Sequence, residues 1–308
     1  MSVVVTTYER PARLARLLES LRIQTLAQEA FEVIVVDDGS SSATRELLIR
    51  EQARGGLNLR IARHYVNQGP SAGRNTGWRM AHSPLVAFTD DDCTPTPVWL
   101  ESLLTAAGER PDAFVQGPTL PDPSEVPRNR LLARTVESRQ LGPQYQTCNV
   151  AYPRALLESL GGFDTVHAVG EDTDLAWRAI ERGVEPRFAE EAVVLHAVQR
   201  DGVRGAVREA VRWGDCAFVF ARHPQARTIL YGRVFWNVWH YLLVRSALAL
   251  LAPDWLRRLV LARHARALRR RAASLGAGPW AVPLLLALDA LETAAMVRGG
   301  VRHRTPVL

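Results

Sequence analysis

Leu85-Val86-Ala87-Phe88-Thr89-Asp90-Asp91-Asp92 is the stretch from which the rest of the chain is read. Five residues fit for a buried strand run straight into three carboxylates. A short apolar run without polar alternation is what a parallel strand covered on both faces requires. The same form opens the chain at Val3–Thr6 and recurs at Val33–Val36, which ends in Asp37-Asp38-Gly39-Ser40. Further strands are predicted at Leu59–His64 and Ala113–Gln116. Between them, Arg10–Arg22 carries Leu14, Leu17, Leu18 and Leu21 at helical spacing. Ser41–Arg54, Pro70–Ala81 and Thr96–Gly108 also read as helices.

Strands alternating with helices predict an α/β fold with a doubly wound, mostly parallel sheet of Rossmann-like type. Ligands of such sheets bind beyond the carboxyl ends of the strands. Two acidic clusters lie at two such ends here. Residues 117–146, with Pro118, Pro121, Pro123 and Pro127, read as a long loop containing a short helix. Beyond residue 197 the pattern turns helical and rich in arginine.

The chain has 308 residues and a net charge of +6, and all its basic residues are arginines. The charge is divided unevenly. Residues 197–308 hold 18 arginines against 6 acidic residues, whereas residues 1–196 hold 20 basic and 26 acidic ones. A basic half suits an anionic membrane or nucleic acid. Nucleic acid is disfavoured because the arginines interleave with long aliphatic runs. Cys93, Cys148 and Cys216 are odd in number and match no zinc spacing, which implies a reduced, cytoplasmic compartment. No signal peptide is expected, since the N-terminus runs directly into a strand.

Carboxylates two residues apart on a tight turn can address one divalent cation. Such a cation offsets the charge that a diphosphate gains as it leaves a sugar. A solvated acidic turn or helix cap is the competing reading of Asp90-Asp91-Asp92. Asp37-Asp38-Gly39-Ser40 offers acceptors for a base or ribose, or else forms an Asp-Gly turn. Arg74 follows the small-residue run Gly69-Pro70-Ser71-Ala72-Gly73 and can reach a diphosphate. Gly170-Glu171-Asp172 opens a helix, where a carboxylate is expected to stay ionised at pH 7, as a general base must. His196, after the apolar run Ala192–Leu195, is a candidate metal ligand.

Taken together and in order, these segments resemble family 2 glycosyltransferases of the GT-A fold. The resemblance is carried by Val3-Val4-Val5-Thr6-Thr7-Tyr8, Val36-Asp37-Asp38-Gly39-Ser40, Asn67 through Gly77, Asp90-Asp91-Asp92, Cys148-Asn149, Gly161–Asp164 and Glu171-Asp172. It covers roughly residues 1–197 and implies an inverting, metal-dependent hexosyltransferase. Thr6, Tyr8, Asp38, Arg74 and Asp91 would contact the nucleotide sugar. Asp90, Asp92 and His196 would hold Mn²⁺ or Mg²⁺, with Asp172 as base and Glu171 supporting it. Asn149, Arg212 and Trp213 are candidate acceptor contacts; the acceptor would be a glycan, a lipid-linked sugar or a small molecule. Processive synthases of the superfamily carry Gln-x-x-Arg-Trp, whereas this chain has Glu209-Ala210-Val211-Arg212-Trp213.

The expected organisation is a catalytic domain at 1–197, with a nucleotide-binding part at 1–116 and an acceptor and base part at 117–197. A helical, membrane-associating extension follows at 198–308. Trp236–Ala252 is interrupted by Arg245, and Pro279–Val297 by Asp289 and Glu292, so neither reads as a spanning helix. Asp254–Ser274, with seven arginines, reads as an interfacial helix at the inner face of the cell membrane. Arg204, Arg208 and Arg212 would line one helix face toward lipid headgroups or a lipid-linked phosphate. A non-enzymatic peripheral membrane or nucleotide-sugar-binding protein is the alternative. A nucleotidyltransferase would need a Gly-rich phosphate loop where Thr6-Thr7-Tyr8-Glu9-Arg10 stands.

Overall fold

The computed structural model describes residues 1–308, the side chain of Glu109 excepted. Its strands are β1 Ser2–Thr7, β2 Glu32–Asp37, β3 Leu59–Arg63, β4 Leu85–Asp90, β5 Cys93–Pro95, β6 Val115–Gln116, β7 Thr119–Pro121, β8 Val150–Pro153, β9 Arg187–Phe188 and β10 Val194–His196. Its helices are α1 Pro11–Arg22, α2 Ser42–Arg54, α3 Pro70–Met80, α4 Trp99–Glu109, α5 Arg154–Leu160, α6 Glu171–Ile180, α7 Gly202–Arg212, α8 Ala217–Arg222, α9 Val238–Ala249, α10 Asp254–Ser274 and α11 Val282–Arg302.

The main sheet runs β3-β2-β1-β4-β8-β6-β9. β3, β2, β1 and β4 are mutually parallel, and β8 is antiparallel to β4. The pleat explains the unbroken apolar runs. Val3, Val5, Val33 and Val35 enter one core with Leu14, Leu17, Trp99 and Leu103. Val4, Ile34, Val36 and Phe88 enter the other with Trp78, Leu157, Leu175 and Ala179. Both faces are covered by helices, so both residue parities are apolar. Strand order reverses at β1, whose Thr6 lies opposite Asp90 of β4 and whose Thr7 lies opposite Asp37 of β2. The acidic strand ends thus flank the end of β1 at the switch point, where such sheets bind ligands.

A second sheet, β5-β10-β7, corrects the reading of 117–146. The expected short helix is absent among the described residues, and Thr119–Pro121 is a strand instead. It lies at the edge of its sheet, the place where a strand tolerates proline. Pro118 before it, Pro121 within it and a length of only three residues hide it in the sequence.

The chain divides into two compact units. One comprises Met1–Pro123, Thr135–Val166 and Glu171–Ala197; the other comprises Ser124–Arg134, His167–Gly170 and Val198–Leu308. The two short segments depart from the contiguous division expected from sequence. Arg134 exchanges backbone hydrogen bonds with Gln199 and binds Asp201 at 2.6 Å, while the His167 ring stacks on Phe218 at 3.7 Å.

Within the helical unit, the Pro279–Arg302 helix has a mean hydropathy of 1.6 and is long and apolar enough to cross a membrane, by length and composition alone. Its two carboxylates, which in the sequence count against a span, are both engaged within the unit. Asp289 accepts from Arg271 at 2.8 Å, and Glu292 lies 3.1 Å from the His240 ring.

Close packing of α3 on β1 depends on glycine. A Cβ at Gly77 would lie 2.3 Å from Val4 Cγ1, and one at Gly73 would lie 2.3 Å from Thr6 Cγ2. Gly77→Ala is expected to destabilise the protein by about 1–3 kcal/mol through overpacking. Adding Val4→Ala should restore part of that loss in a denaturant titration; a purely additive double mutant would show that the contact is not the cause.

Candidate active site

Arg74 is held by α3 at the switch point and is only 7% exposed. Its guanidinium donates to Asp90 Oδ1 at 2.9 Å and to Glu171 Oε1 at 2.8 Å. One side chain therefore joins the end of β4 to the start of α6, which are far apart in sequence. Desolvation opposes its charge, but Asp90 and Glu171 outweigh that and raise its pKa. Desolvation likewise opposes the Asp90 charge, and Arg74 holds that carboxyl below its ordinary range.

Asn75 fixes the next segment. Its Nδ2 donates to the Phe163 carbonyl, while its Oδ1 accepts from Phe163 N–H and Trp78 Nε1, each at 2.9 Å. Gly162, at φ +78°, must be glycine here, since a Cβ would lie 2.3 Å from Asn75 Oδ1.

Asp172 is partly buried at the first turn of α6, where its Oδ1 accepts from Thr173 N–H at 2.7 Å. Desolvation and then the Glu171 charge push its carboxyl up to about 7. This corrects the expectation that a helix N-terminus keeps it fully ionised. The dipole contribution is modest at a helix end, and burial beside a second carboxylate exceeds it.

The other two aspartates of the turn face different partners. Asp91 accepts from Thr7 Oγ1 at 2.8 Å and from Arg10 at 3.1 Å. Burial pushes its carboxyl up to about 6 against the pull of Arg10. These contacts make it a tie between β4 and the end of β1. Asp92 accepts from the same Arg10 nitrogen at 3.0 Å, and its Oδ1 lies 3.6 Å from His196 Nε2. Arg10 and Thr7 were missed as site residues; nothing in their spacing marks them.

Among the described residues, Asp92, Cys93 and His196 gather their ligand atoms within 4.8 Å of one another. Asp90 stays outside this group, paired with Arg74. The grouping comes from β10, which places His196 opposite Cys93. Burial raises the Cys93 thiol well above its ordinary pKa, so it stays protonated. His196 Nδ1 lies 2.8 Å from the Ala197 carbonyl and donates to it, so Nε2 is the ring nitrogen turned toward Asp92. A carboxylate oxygen and an imidazole nitrogen facing each other, too far apart for a hydrogen bond, can hold a divalent cation between them.

The remaining predicted contacts separate clearly. Tyr8 is exposed, carried by a turn in which Glu9 adopts φ 56°. The Thr6 side chain packs against Gly73, and its hydroxyl is buried without a partner. Asp38 is buried and accepts from Gln68 N–H at 3.0 Å and Gly69 N–H at 2.8 Å, with His64 at 2.6 Å. It orders the loop entering α3. Asn149 is fully buried; it donates to the carbonyls of Pro118 and Ala192 and accepts from Trp99 Nε1. Those bonds leave it no group for an acceptor sugar, which corrects that expectation. In the helical unit, Trp213 packs on Trp236 at 5.1 Å, and Arg212 lies 3.6 Å from Glu209.

Residues 2–158 match the model of glycosyl transferase family 2, and the chain belongs to that family. It is 31% identical over 241 residues to pre-mycofactocin glycosyltransferase of Mycobacterium tuberculosis, covering 73% of this chain and 48% of that one. It is 30% identical over 279 residues to validoxylamine A glucosyltransferase of Streptomyces hygroscopicus subsp. limoneus, covering 77% of this chain and 59% of that one. The chain thus spans about half the length of these curated relatives. In fold it is similar to a mannosyltransferase of Pyrobaculum calidifontis in complex with GDP-Man and Mn²⁺. The TM-score is 0.64 at 21% identity, over 97% of this chain and 86% of that one. TarS of S. aureus with UDP-GlcNAc gives a TM-score of 0.56 at 20% identity, over 99% and 92% of the two chains.

The raised carboxyls have a consequence for stability. In the ordinary carboxylate range near about pH 4, Asp172 and Asp91 are still largely protonated in the folded chain, while the unfolded chain releases those protons. The contribution of these two carboxyls to folding stability therefore falls as pH rises from about 4 to about 7. With chelator present, Asp172→Asn is expected to melt about 4 °C above the parent at about pH 8 and together with it at about pH 4. Identical melting at the higher pH would remove the perturbed carboxyl from the account.

Proposed function

We propose that this chain transfers a sugar from a nucleoside-diphosphate donor to an acceptor hydroxyl, with inversion at the anomeric carbon and Asp172 as general base. The observation that carries the reading is the Asp90–Arg74–Glu171 bridge, which draws the carboxylate of α6 to the strand ends at the switch point. Asp172 takes the hydroxyl proton as the acceptor oxygen bonds to the anomeric carbon. The bond from that carbon to the diphosphate oxygen breaks, and the leaving diphosphate keeps the electron pair. A carboxyl near 7 suits this role, since a base works best with a pKa close to the operating pH. Glu171, engaged by Arg74, leaves proton transfer to its neighbour.

A divalent cation held by Asp92 and His196, with Asp90 beside them, would supply positive charge to the departing diphosphate. The mannosyltransferase of Pyrobaculum calidifontis, seen with GDP-Man and Mn²⁺, supports the choice of group. Tyr8 offers an exposed ring at the end of β1 for the nucleotide base. Arg74 neutralises the acids about it and helps orient the donor.

The reaction is assigned to the cytoplasmic face of the cell membrane, with a glycan or lipid-linked acceptor, on the strength of the basic helical unit. There α7 exposes Arg204, Arg208 and Arg212, four residues apart.

Asp172→Asn should lower transfer by roughly a thousandfold or more while leaving donor affinity within about threefold of the parent. Asp92→Ala should abolish transfer and also weaken Mn²⁺-dependent donor binding in calorimetry. Parental turnover in either variant sinks the corresponding role. The parent's kcat/KM should rise with pH through about 7, and Asp172→Asn should lose that limb.

Replacing Arg204, Arg208 and Arg212 together by Ala should weaken binding to phosphatidylglycerol vesicles by about tenfold. The effect is held below the full value for three arginines because Arg208 and Arg212 already face Asp201 and Glu209. Unchanged sedimentation with vesicles would exclude α7 as a lipid-facing helix.

A further inference from the structure

The corner between α9 and α10 exposes an unusual set of side chains. Leu248 is 64% exposed, Leu250 58%, Leu251 89% and Trp255 69%. Four large apolar groups within eight residues form a projecting patch, which soluble surfaces rarely carry without a partner. The buried side of α10 is satisfied elsewhere: His264, Leu268 and Ala272 face inward, with His264 Nδ1 2.8 Å from Ser246 Oγ.

The exposed side of α10 is graded along its length. Trp255, Leu259, Ala262 and Arg266 follow one another at helical spacing on it, and Arg269 and Arg270 are exposed farther on. The stripe therefore begins apolar at the corner and turns basic about three turns later. The one acidic residue at the tip, Asp254, is taken by Arg257, with Arg258 3.8 Å away, so the corner presents no bare negative charge.

We infer that this corner is a membrane-docking wedge. Leu250, Leu251 and Trp255 enter the interfacial layer of an anionic bilayer, and Arg266, Arg269 and Arg270 meet the lipid phosphates. The charge decides the occupant: a tryptophan-bearing apolar tip backed by arginines complements acyl chains beneath anionic headgroups. Nucleic acid would engage the arginines but has no use for Leu250 and Leu251. The wedge deepens the membrane reading given for the helical unit and rests on it.

The test is co-sedimentation of the full chain with vesicles of equal parts phosphatidylglycerol and phosphatidylcholine, and with phosphatidylcholine alone. The parent should bind the first and barely bind the second. Leu250→Ser with Leu251→Ser and Trp255→Ser should weaken binding by about tenfold or more, persistently in high salt. Arg266→Gln with Arg269→Gln and Arg270→Gln should weaken it by roughly a hundredfold at low salt, and less as salt rises. These positions are exposed, so the melting temperature should not move. A parent that ignores anionic vesicles overturns both the wedge and the membrane reading. A parent that binds, with an apolar variant that binds equally well, overturns the wedge alone. A parent that is dimeric in solution and becomes monomeric on the Leu and Trp changes also overturns it, since the corner would then join two copies of this chain.

Discussion

A buried guanidinium cannot stand alone, and the catalytic unit is arranged about that constraint. Arg74 is out of water, so it needs carboxylates on two sides, and it draws them from β4 and from α6. Removing one partner of such a buried pair typically costs about 3–5 kcal/mol, because the other charge is left uncompensated. The helix that carries Arg74 can approach β1 only because Gly73 and Gly77 lack side chains. The distance between the acidic turn and the proposed base is therefore set by glycine packing before any substrate arrives.

Much of this was legible in the sequence because the physics was local. Unbroken apolar runs at Val3–Thr6, Val33–Val36 and Leu85–Thr89 require strands covered on both faces, and strands ending in acids place those acids at a ligand-binding edge. The order of the short motifs did the rest. What escaped depended on contacts between distant segments. Cys93 and His196 meet only because β10 returns beside β5. Arg10 reaches Asp91 and Asp92 across more than eighty positions. The protonation of Asp172 is decided by burial and by Glu171, and helix-end reasoning sees neither burial nor its magnitude. Asn149 looked like a ligand because it is polar in a motif; it proved to be polar in order to satisfy two carbonyls and an indole.

The helical unit solves a different problem. Its helices bury His240, His264 and Asp289 among apolar neighbours, and each finds a polar partner: Glu292, Ser246 and Arg271. The core around them is otherwise apolar, with Phe218, Phe220, Leu268, Leu285 and Met296 buried, so these three pairs are polar inclusions in it. On its outside the same unit exposes the Leu248–Trp255 corner.

Asn75 has a consequence that reaches beyond this molecule. Its amide engages both main-chain polar groups of Phe163, accepting from the N–H and donating to the carbonyl. Contacts between two side chains can drift over generations, because a change on one side can be answered by a change on the other. A side chain bonded to main chain has no such correspondent, since every amino acid offers the same peptide group. Aspartate has lost the donor and glutamine has the wrong reach. Asn75 therefore occupies a position where compensation is unavailable, and descent can alter the residues around it more freely than the residue itself.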